Sequence, residues 1–300
     1  MSLGSGLLVI GRTGQLARAL AEAAPDARFW GRETADLTDP AAVEAAVAAS
    51  GARVVVNAAA YTAVDRAESE PDLALTVNGH AAGAVARGAA AAGAAVVQVS
   101  TDYVFDGSKT GEWTETDPVA PLGAYGRSKL EGERQVAAAT PRHAILRTAW
   151  VHAPWGHNFV RTMLRLGAER DRLTIVADQH GKPTSALDIA EAIAAIAPRL
   201  ADAPAADPAF GVFHYAGAGV THWAGFAREI FRLAEPRLIA RAPDVTDVTT
   251  ADYPTPARRP ANSALDCAKF ERVFGVACVP WQTALARVID RIETQAKGTP

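Results

Sequence analysis

Short apolar runs separated by alanine-rich helical stretches constrain this chain more than any other feature. Leu7–Ile10, Arg28–Trp30, Val54–Asn57 and residues 95–100 and 144–148 read as strands. Between them lie helical stretches at Gln15–Ala23, about 40–49, about 71–92 and around Tyr125. Asp39-Pro40 supplies an N-cap followed by proline at the first helical position. Parallel strands need a crossover between them, so this alternation predicts an α/β fold with a doubly wound parallel sheet. The nearly continuous apolar character of the strands fits a sheet with both faces covered.

After about Trp150 the rhythm loosens. Residues 158–167, 186–197, 222–234 and 281–295 read as helices, and the Pro/Ala-rich residues 201–209 as a surface loop. Residues 252–260 hold three prolines and two arginines, which predicts an ordered or ligand-bound loop. With 300 residues and 49% hydrophobic composition, the chain has room for a main domain and a smaller one. The expected division gives residues 1–150, plus part of about 178–215, to a dinucleotide-binding domain. About 151–177 and 216–300 form a smaller substrate domain.

A formal charge of −3 leaves no basic footprint for nucleic acid, and no Lys/Arg cluster marks a membrane surface. The first six residues carry no charged leader, and Leu7–Ile10 is too short for a signal or a span, so a cytoplasmic protein is expected. Cys267 and Cys278 match no metal or disulfide spacing, and packing is their expected role.

The first strand runs into Gly11-Arg-Thr-Gly14 and then a helix. Gly11 allows a tight turn, Gly14 lets backbone approach a pyrophosphate, and Ala17 allows close helix–strand packing. A glycine turn without ligand is the plainer alternative. Arg32, at the end of the second strand, is either a partner for a 2′-phosphate, which leans toward NADPH, or a solvated charge. Asp36 either meets the adenine end or fixes its loop. The small residues after Asn57, up to Ala60-Tyr61-Thr62, let a cofactor lie against the backbone or serve close packing.

Tyr125 and Lys129 sit four apart on one helix face, behind Ser100-Thr101-Asp102 at a strand end. A ketone accepting hydride needs a proton, and a free tyrosine has a pKa near ~10. A neighbouring ammonium lowers that value, so Tyr125 is the expected acid and Lys129 its tuner, with a further bond to the nicotinamide ribose. Thr101, or with less support Ser100, would orient the substrate oxygen. Glu131 and Glu133 are expected on other helix faces, in solvent.

These residues resemble the extended short-chain dehydrogenases/reductases and, within them, the dTDP-4-dehydrorhamnose reductases. The resemblance is carried by Gly11-Arg-Thr-Gly-Gln-Leu16, residues 57–68, Ser100-Thr-Asp-Tyr-Val-Phe-Asp-Gly107, Tyr125-Gly-Arg-Ser-Lys129, Arg147-Thr-Ala-Trp-Val151, Asn158-Phe-Val-Arg-Thr-Met163 and Arg259-Pro-Ala-Asn-Ser263. It implies a Rossmann-type fold and reduction, by NADPH or NADH, of the C4 ketone of dTDP-4-dehydro-β-L-rhamnose to dTDP-L-rhamnose. It also implies cofactor contacts at Gly14, Gln15, Leu16, Asp36, Leu37, Ala59, Ala60, Tyr61 and Thr62. The substrate contacts it implies are Thr101, Asp102, Trp150 and Asn158. Arg259 would pair with the diphosphate and Asn262 would bind nearby sugar or base atoms; the alternative for both is a loop stapled by its own bonds.

The sequence departs from the family at His152-Ala153, where Tyr-Gly is frequent. Ala19 stands where some relatives place a glutamate that holds a metal between subunits, so no metal is expected; a homodimer through another surface stays open. Two other readings remain. One is a different nucleotide-sugar reductase or epimerase of the superfamily. The other is a non-catalytic regulatory subunit like that of methionine adenosyltransferase.

Overall fold

The computed structural model describes residues 3–297. Met1, Ser2 and residues 298–300, at the ends of the expected domains, lie outside the described residues. The first part runs β1 (Leu7–Ile10), α1 (Gln15–Ala23), β2 (Arg28–Trp30), α2 (Pro40–Ala48), β3 (Val54–Asn57), α3 (Val64–Ala67), α4 (Pro71–Leu75), α5 (Ala81–Ala91), β4 (Ala95–Thr101), α6 (Ala124–Ala139) and β5 (His143–Thr148). The second runs β6 (Val151–His152), α7 (Phe159–Glu169), β7 (Arg172–Val176), β8 (His180–Gly181), β9 (Thr184–Ser185), α8 (Ala186–Asp202), β10 (Gly211–His214), β11 (Thr221–His222), α9 (Trp223–Ala234), β12 (Asp244–Val248), α10 (Ala268–Phe274) and α11 (Trp281–Lys297).

Six strands form one parallel sheet in the order β10-β5-β4-β3-β1-β2. Alternate strand residues point to opposite faces. Leu7, Val9, Val54 and Val56 therefore join a core with α1 and α8 residues, while Leu8, Ile10 and Val55 join a second core with α2 and α5 residues. The chain winds outward from β1 in both directions, so the carboxyl ends of β1 and β3 frame the crevice where such sheets bind ligands. The register aligns Val9 with Val56, Val56 with Val97 and Val97 with Ala144, bringing those strand ends to one edge.

Three two-stranded ribbons, β6–β9, β7–β12 and β8–β11, make up the rest of the sheet structure. None of these short strands was expected from sequence: β6, β8, β9 and β11 have two residues each, too few to carry a periodicity, and β7 and β12 have five each, with charged and polar residues among the apolar ones. Phe226, Phe231 and Trp281 belong to the same core as Val9 and Val97, so the second part shares its apolar interior with the main sheet. β10, within 178–215, returns to the sheet beside β5.

The helix expected over 71–92 is interrupted by a π-turn at Thr76–His80, which widens it and buries Asn78. α8 continues to Asp202 through Pro198, five residues beyond its expected end. Among the described residues, no helix is long and apolar enough to cross a membrane. Cys267 is buried, Cys278 is half-buried, and both are free thiols.

Candidate active site

Backbone shape dominates at the end of β1. Gly11 has φ +122° and donates its N–H to the Trp30 carbonyl at 2.8 Å. A Cβ there would lie 3.4 Å from Ala17 Cβ and 3.5 Å from the Ala58 backbone, ordinary contact distances, so the turn needs glycine for its conformation rather than for space. Gly14 caps α1 without a side-chain bond, and a Cβ on it would meet nothing within 4 Å. No protein atom occupies that space, and the first-turn N–H groups of a helix have no intrahelical partner, which fits a pyrophosphate.

The neighbouring cofactor candidates divide by what their side chains do. The side chains of Leu16 and Leu37 belong to the two sheet cores, so only their backbones can face a ligand. Asp36 accepts from Thr38 N–H at 3.0 Å and Thr38 Oγ1 at 2.8 Å, fixing its own turn. Arg32 reaches Asp36 at 3.4 Å with a largely exposed side chain. Arg12, which the sequence motif did not single out, pairs with Glu33 at 3.1 Å over the same turn.

Beyond β3, Ala58, Ala59 and Ala60 are half-buried and Thr62 is exposed. The Asn78 amide clamps this loop: Oδ1 accepts Tyr61 N–H at 2.8 Å, and Nδ2 donates to Tyr61 O at 3.0 Å and Ser128 Oγ at 3.0 Å. The π-turn thus ties the cofactor loop to the tyrosine helix.

Side-chain chemistry gathers at the end of β4. Thr101 Oγ1 donates to Asp102 Oδ1 at 2.9 Å, and its hydroxyl opposes the upward shift that burial imposes on the Tyr125 phenol. Tyr103 stands edge-on to Tyr125 at 5.7 Å. Burial pushes the Asp102 carboxyl up to about 6, against the opposing influence of the Ser263 hydroxyl and the hydrogen bond from Thr101. Lys129 is buried and donates to the Val99 carbonyl at 2.6 Å, not to Tyr125. Burial lowers it to about 8, and Glu133 opposes the shift.

Glu133 corrects the expectation from sequence. It is buried, not solvated: it accepts from Ser100 Oγ at 2.5 Å and from Arg147 Nε and Nη2 at 2.9 and 2.7 Å. Four residues beyond Lys129, it shares that helix face, a spacing visible in the sequence. Glu131 stays partly exposed beside Arg134.

At the end of β5, Trp150 has φ +48°, the one non-glycine positive φ among the described residues. A backbone held there stores strain of about 1–3 kcal/mol. Its ring stacks on Trp223 at 3.6 Å with planes 6° apart, and a Cβ on Gly181 would lie 2.5 Å from that ring. Trp223 Nε1 donates to Gln179 Oε1 at 3.1 Å. Sequence reasoning missed Trp223, which lies remote from every motif.

Asn158 and Asn262 are not free for a substrate. Asn158 caps α7 through Oδ1 and donates Nδ2 to Gln15 Oε1 at 2.8 Å, Ala153 O at 3.0 Å and Trp155 O at 3.1 Å. It therefore braces the start of α1, and Gln15 with it. Asn262 donates Nδ2 to Lys109 O at 2.8 Å and Gly111 O at 2.6 Å and accepts from Ala264 N–H at 3.1 Å, stapling its loop. Arg259 pairs with Asp65 at 2.7 Å and approaches Tyr103 Oη at 3.5 Å, so it flanks the tyrosine pair from the loop over 252–260. His152 is buried and held neutral, lowered to about 4 by burial, and hydrogen-bonds the Trp150 carbonyl at 3.3 Å. Among the described residues, no group of three or more His, Cys, Asp or Glu could hold a metal.

The arrangement pairs an open helix end, of the kind that suits a phosphate, with a buried hydroxyl, a half-buried phenol and a buried ammonium, a set suited to carbonyl reduction. A family model described as "RmlD substrate binding domain" matches residues 5–294. The chain is 46% identical over 286 residues to a dTDP-4-dehydrorhamnose reductase of Sinorhizobium fredii, covering 94% of this chain and 96% of that protein. A dTDP-4-dehydrorhamnose reductase structure from Clostridium acetobutylicum superposes with a TM-score of 0.88 at 37% identity, covering 96% of this chain and 99% of the other. One from Bacillus anthracis, in complex with NADP, gives a TM-score of 0.85 at 32% identity over 95% and 98% of the two chains.

Proposed function

The chain belongs to the dTDP-4-dehydrorhamnose reductase family, and we propose that it catalyses the NAD(P)H-dependent reduction of the C4 ketone of dTDP-4-dehydro-β-L-rhamnose to dTDP-L-rhamnose. The observation that carries this is the placement of Tyr125 and Lys129 on one face of α6 against the end of β4, where Lys129 donates to the Val99 carbonyl two residues before Thr101. The reduced nicotinamide supplies the hydride when bound. Gly14 and the first turn of α1 would hold its pyrophosphate, Ala59–Thr62 its inner half, and Arg32, with Arg12 beside it, the ribose end. NADPH and NADH both fit that open end.

Tyr125 would donate its phenolic proton to the C4 oxygen as negative charge develops there. Burial keeps the phenol protonated but makes it a weaker acid, and the expected lowering by Lys129 is not among the influences on it while the ammonium holds the Val99 carbonyl, so the transfer relies on the Lys129 charge turning toward the developing phenolate. Thr101 would bind the same oxygen and fix its approach. Lys129 would stabilise the resulting phenolate and bond the nicotinamide ribose; its present partner, the Val99 carbonyl, keeps it close to that position. Trp150 and Asp102 would line the sugar side, and Arg259 would meet the diphosphate by exchanging Asp65 for it.

We propose the same division of labour along the chain as expected above. Residues 1–150, with part of about 178–215, serve the cofactor, and about 151–177 and 216–300 serve the nucleotide sugar. The pairing of β10 with β5 and the packing of α8 on α1 support it. Reaction between a nucleotide sugar and a reduced nicotinamide is cytoplasmic chemistry, and a homodimer fits this reading.

The test supplies dTDP-4-dehydrorhamnose made in situ and follows loss of reduced cofactor. Turnover by the wild type is expected. Its absence with this substrate would favour another nucleotide sugar. Absence with every nucleotide sugar, together with co-purification of a methionine adenosyltransferase, would favour a binding subunit.

A further inference from the structure

A buried ion pair lies directly under the Tyr125–Lys129 face. Glu133 is one helical turn beyond Lys129, so both side chains project onto the same strip of sheet. The two nitrogens of Arg147 grip the Glu133 carboxylate side-on, and Ser100 Oγ adds a third bond. Ser100 and Arg147 are register partners across β4 and β5. Lys129 donates to the carbonyl of Val99, the residue before Ser100. Ammonium and carboxylate are thus anchored at consecutive positions of one strand.

The pair has little value as a staple alone. Both side chains are about 5% exposed, and a buried ion pair is often no more stabilising than apolar side chains of the same volume. Its position next to the buried ammonium gives it another use. An isolated ammonium at this depth favours losing its proton. Glu133 is the anion on its own helix face. The other charged or titratable groups around the site are Arg147 from β5, Asp102 and Tyr103 after β4, and Tyr125 one turn back. His214, the register partner of Arg147 on β10, is held neutral by burial and the Arg147 charge. Arg147 Nη1 has no hydrogen-bond partner, so this cation depends on Glu133 for neutralisation.

We propose that Glu133, fixed by Arg147 and Ser100, is a positioning residue for Lys129, keeping its buried ammonium charged and aimed at the carboxyl end of β4. Glu133 touches neither substrate nor cofactor; it acts through the lysine. The proposal rests on the role given to Lys129 in the reductase reading.

The test is the pH dependence of two quantities in wild type, Glu133→Gln, Arg147→Met and the double variant Glu133→Gln/Arg147→Met. The first quantity is kcat with dTDP-4-dehydrorhamnose. The second is the Kd for NADPH, read by quenching of tryptophan fluorescence, which needs no sugar substrate. In Glu133→Gln the alkaline fall of both should begin at least about one pH unit lower, a loss of about tenfold in kcat above pH 8. KM for the nucleotide sugar should stay within about twofold. The double variant carries no stranded Arg147 charge and, compared with Arg147→Met alone, tests the same shift should the Glu133→Gln single variant fail to fold. A folded Glu133→Gln variant whose alkaline limb coincides with that of the wild type, or a double variant whose limb coincides with that of Arg147→Met, overturns the proposal. Wild type that binds NADPH but turns over no sugar sinks the reductase reading alone, since the NADPH titration still decides the role of Glu133.

Discussion

The two ends of the cleft solve their problems in opposite ways. At the end of β1 the chain removes side chains: Gly11 is demanded by the protein's own backbone turn, whereas Gly14 borders space no protein atom uses. The charged residues there, Arg12 with Glu33 and Arg32 with Asp36, form exposed pairs, and such pairs are worth about 0–1 kcal/mol. At the end of β4 the chain instead buries functional groups. Asp102 and Tyr125 are shifted up and Lys129 down, in each case chiefly by burial. A phosphate is read by backbone dipoles and needs room. Proton transfer needs groups whose charge state is set by a dry surrounding.

If this contrast is right, Tyr125→Phe has the largest effect. It should lower kcat at least about a hundredfold, the low end for loss of a general acid, with the Kd for NADPH nearly unchanged. A near-normal rate would remove Tyr125 from the chemistry.

Asp102→Asn probes the cost of burial. Because the folded carboxyl titrates higher than a free one, its stability contribution is full below about pH 4 and is lost as pH rises through about 6. The amide keeps the Thr101 bond without this penalty. Thermal melts should therefore show the variant gaining on the wild type between pH 4 and 7, by about 5 °C. A constant difference in Tm across that range would contradict the burial of charge.

The glycines test the other end. Gly14→Val should leave Tm unchanged and weaken NADPH binding about tenfold, close to 1.4 kcal/mol. Gly11→Ala should lower Tm, because the strain falls on the protein itself. Equal effects of the two on Tm would erase the distinction between them.

Trp223→Ala should raise KM for the nucleotide sugar roughly fivefold, through loss of a stack worth about 0.5–1.5 kcal/mol that holds Trp150. Steady-state kinetics with little change in kcat would agree. The smallest effect is expected at Arg32, where Arg32→Ala should lower the NADPH preference over NADH by about two- to threefold, as for one exposed charge. An unchanged ratio would make Arg32 a solvent residue.

Motifs with local meaning were legible in sequence. The strand–glycine–helix unit, the Asp39 cap and the Tyr125/Lys129 spacing each depend on residues within a few positions. Roles that depend on distant partners were not legible. Glu133 looked like a surface acid until Arg147 and Ser100 closed on it. Asn158 and Asn262 carried the right chemistry for a ligand, but Gln15 and the carbonyls of Lys109 and Gly111 occupy their amides.

The sequence by itself determined the parallel sheet, the glycine turn and the tyrosine–lysine face, because periodicity and hydrogen-bond spacing act over one strand or one helical turn. Only the tertiary structure decided which polar groups are buried, which are paired and which stay open to a ligand. Burial and pairing depend on what other segments bring to the same point in space, and that information lies outside any local window of the chain.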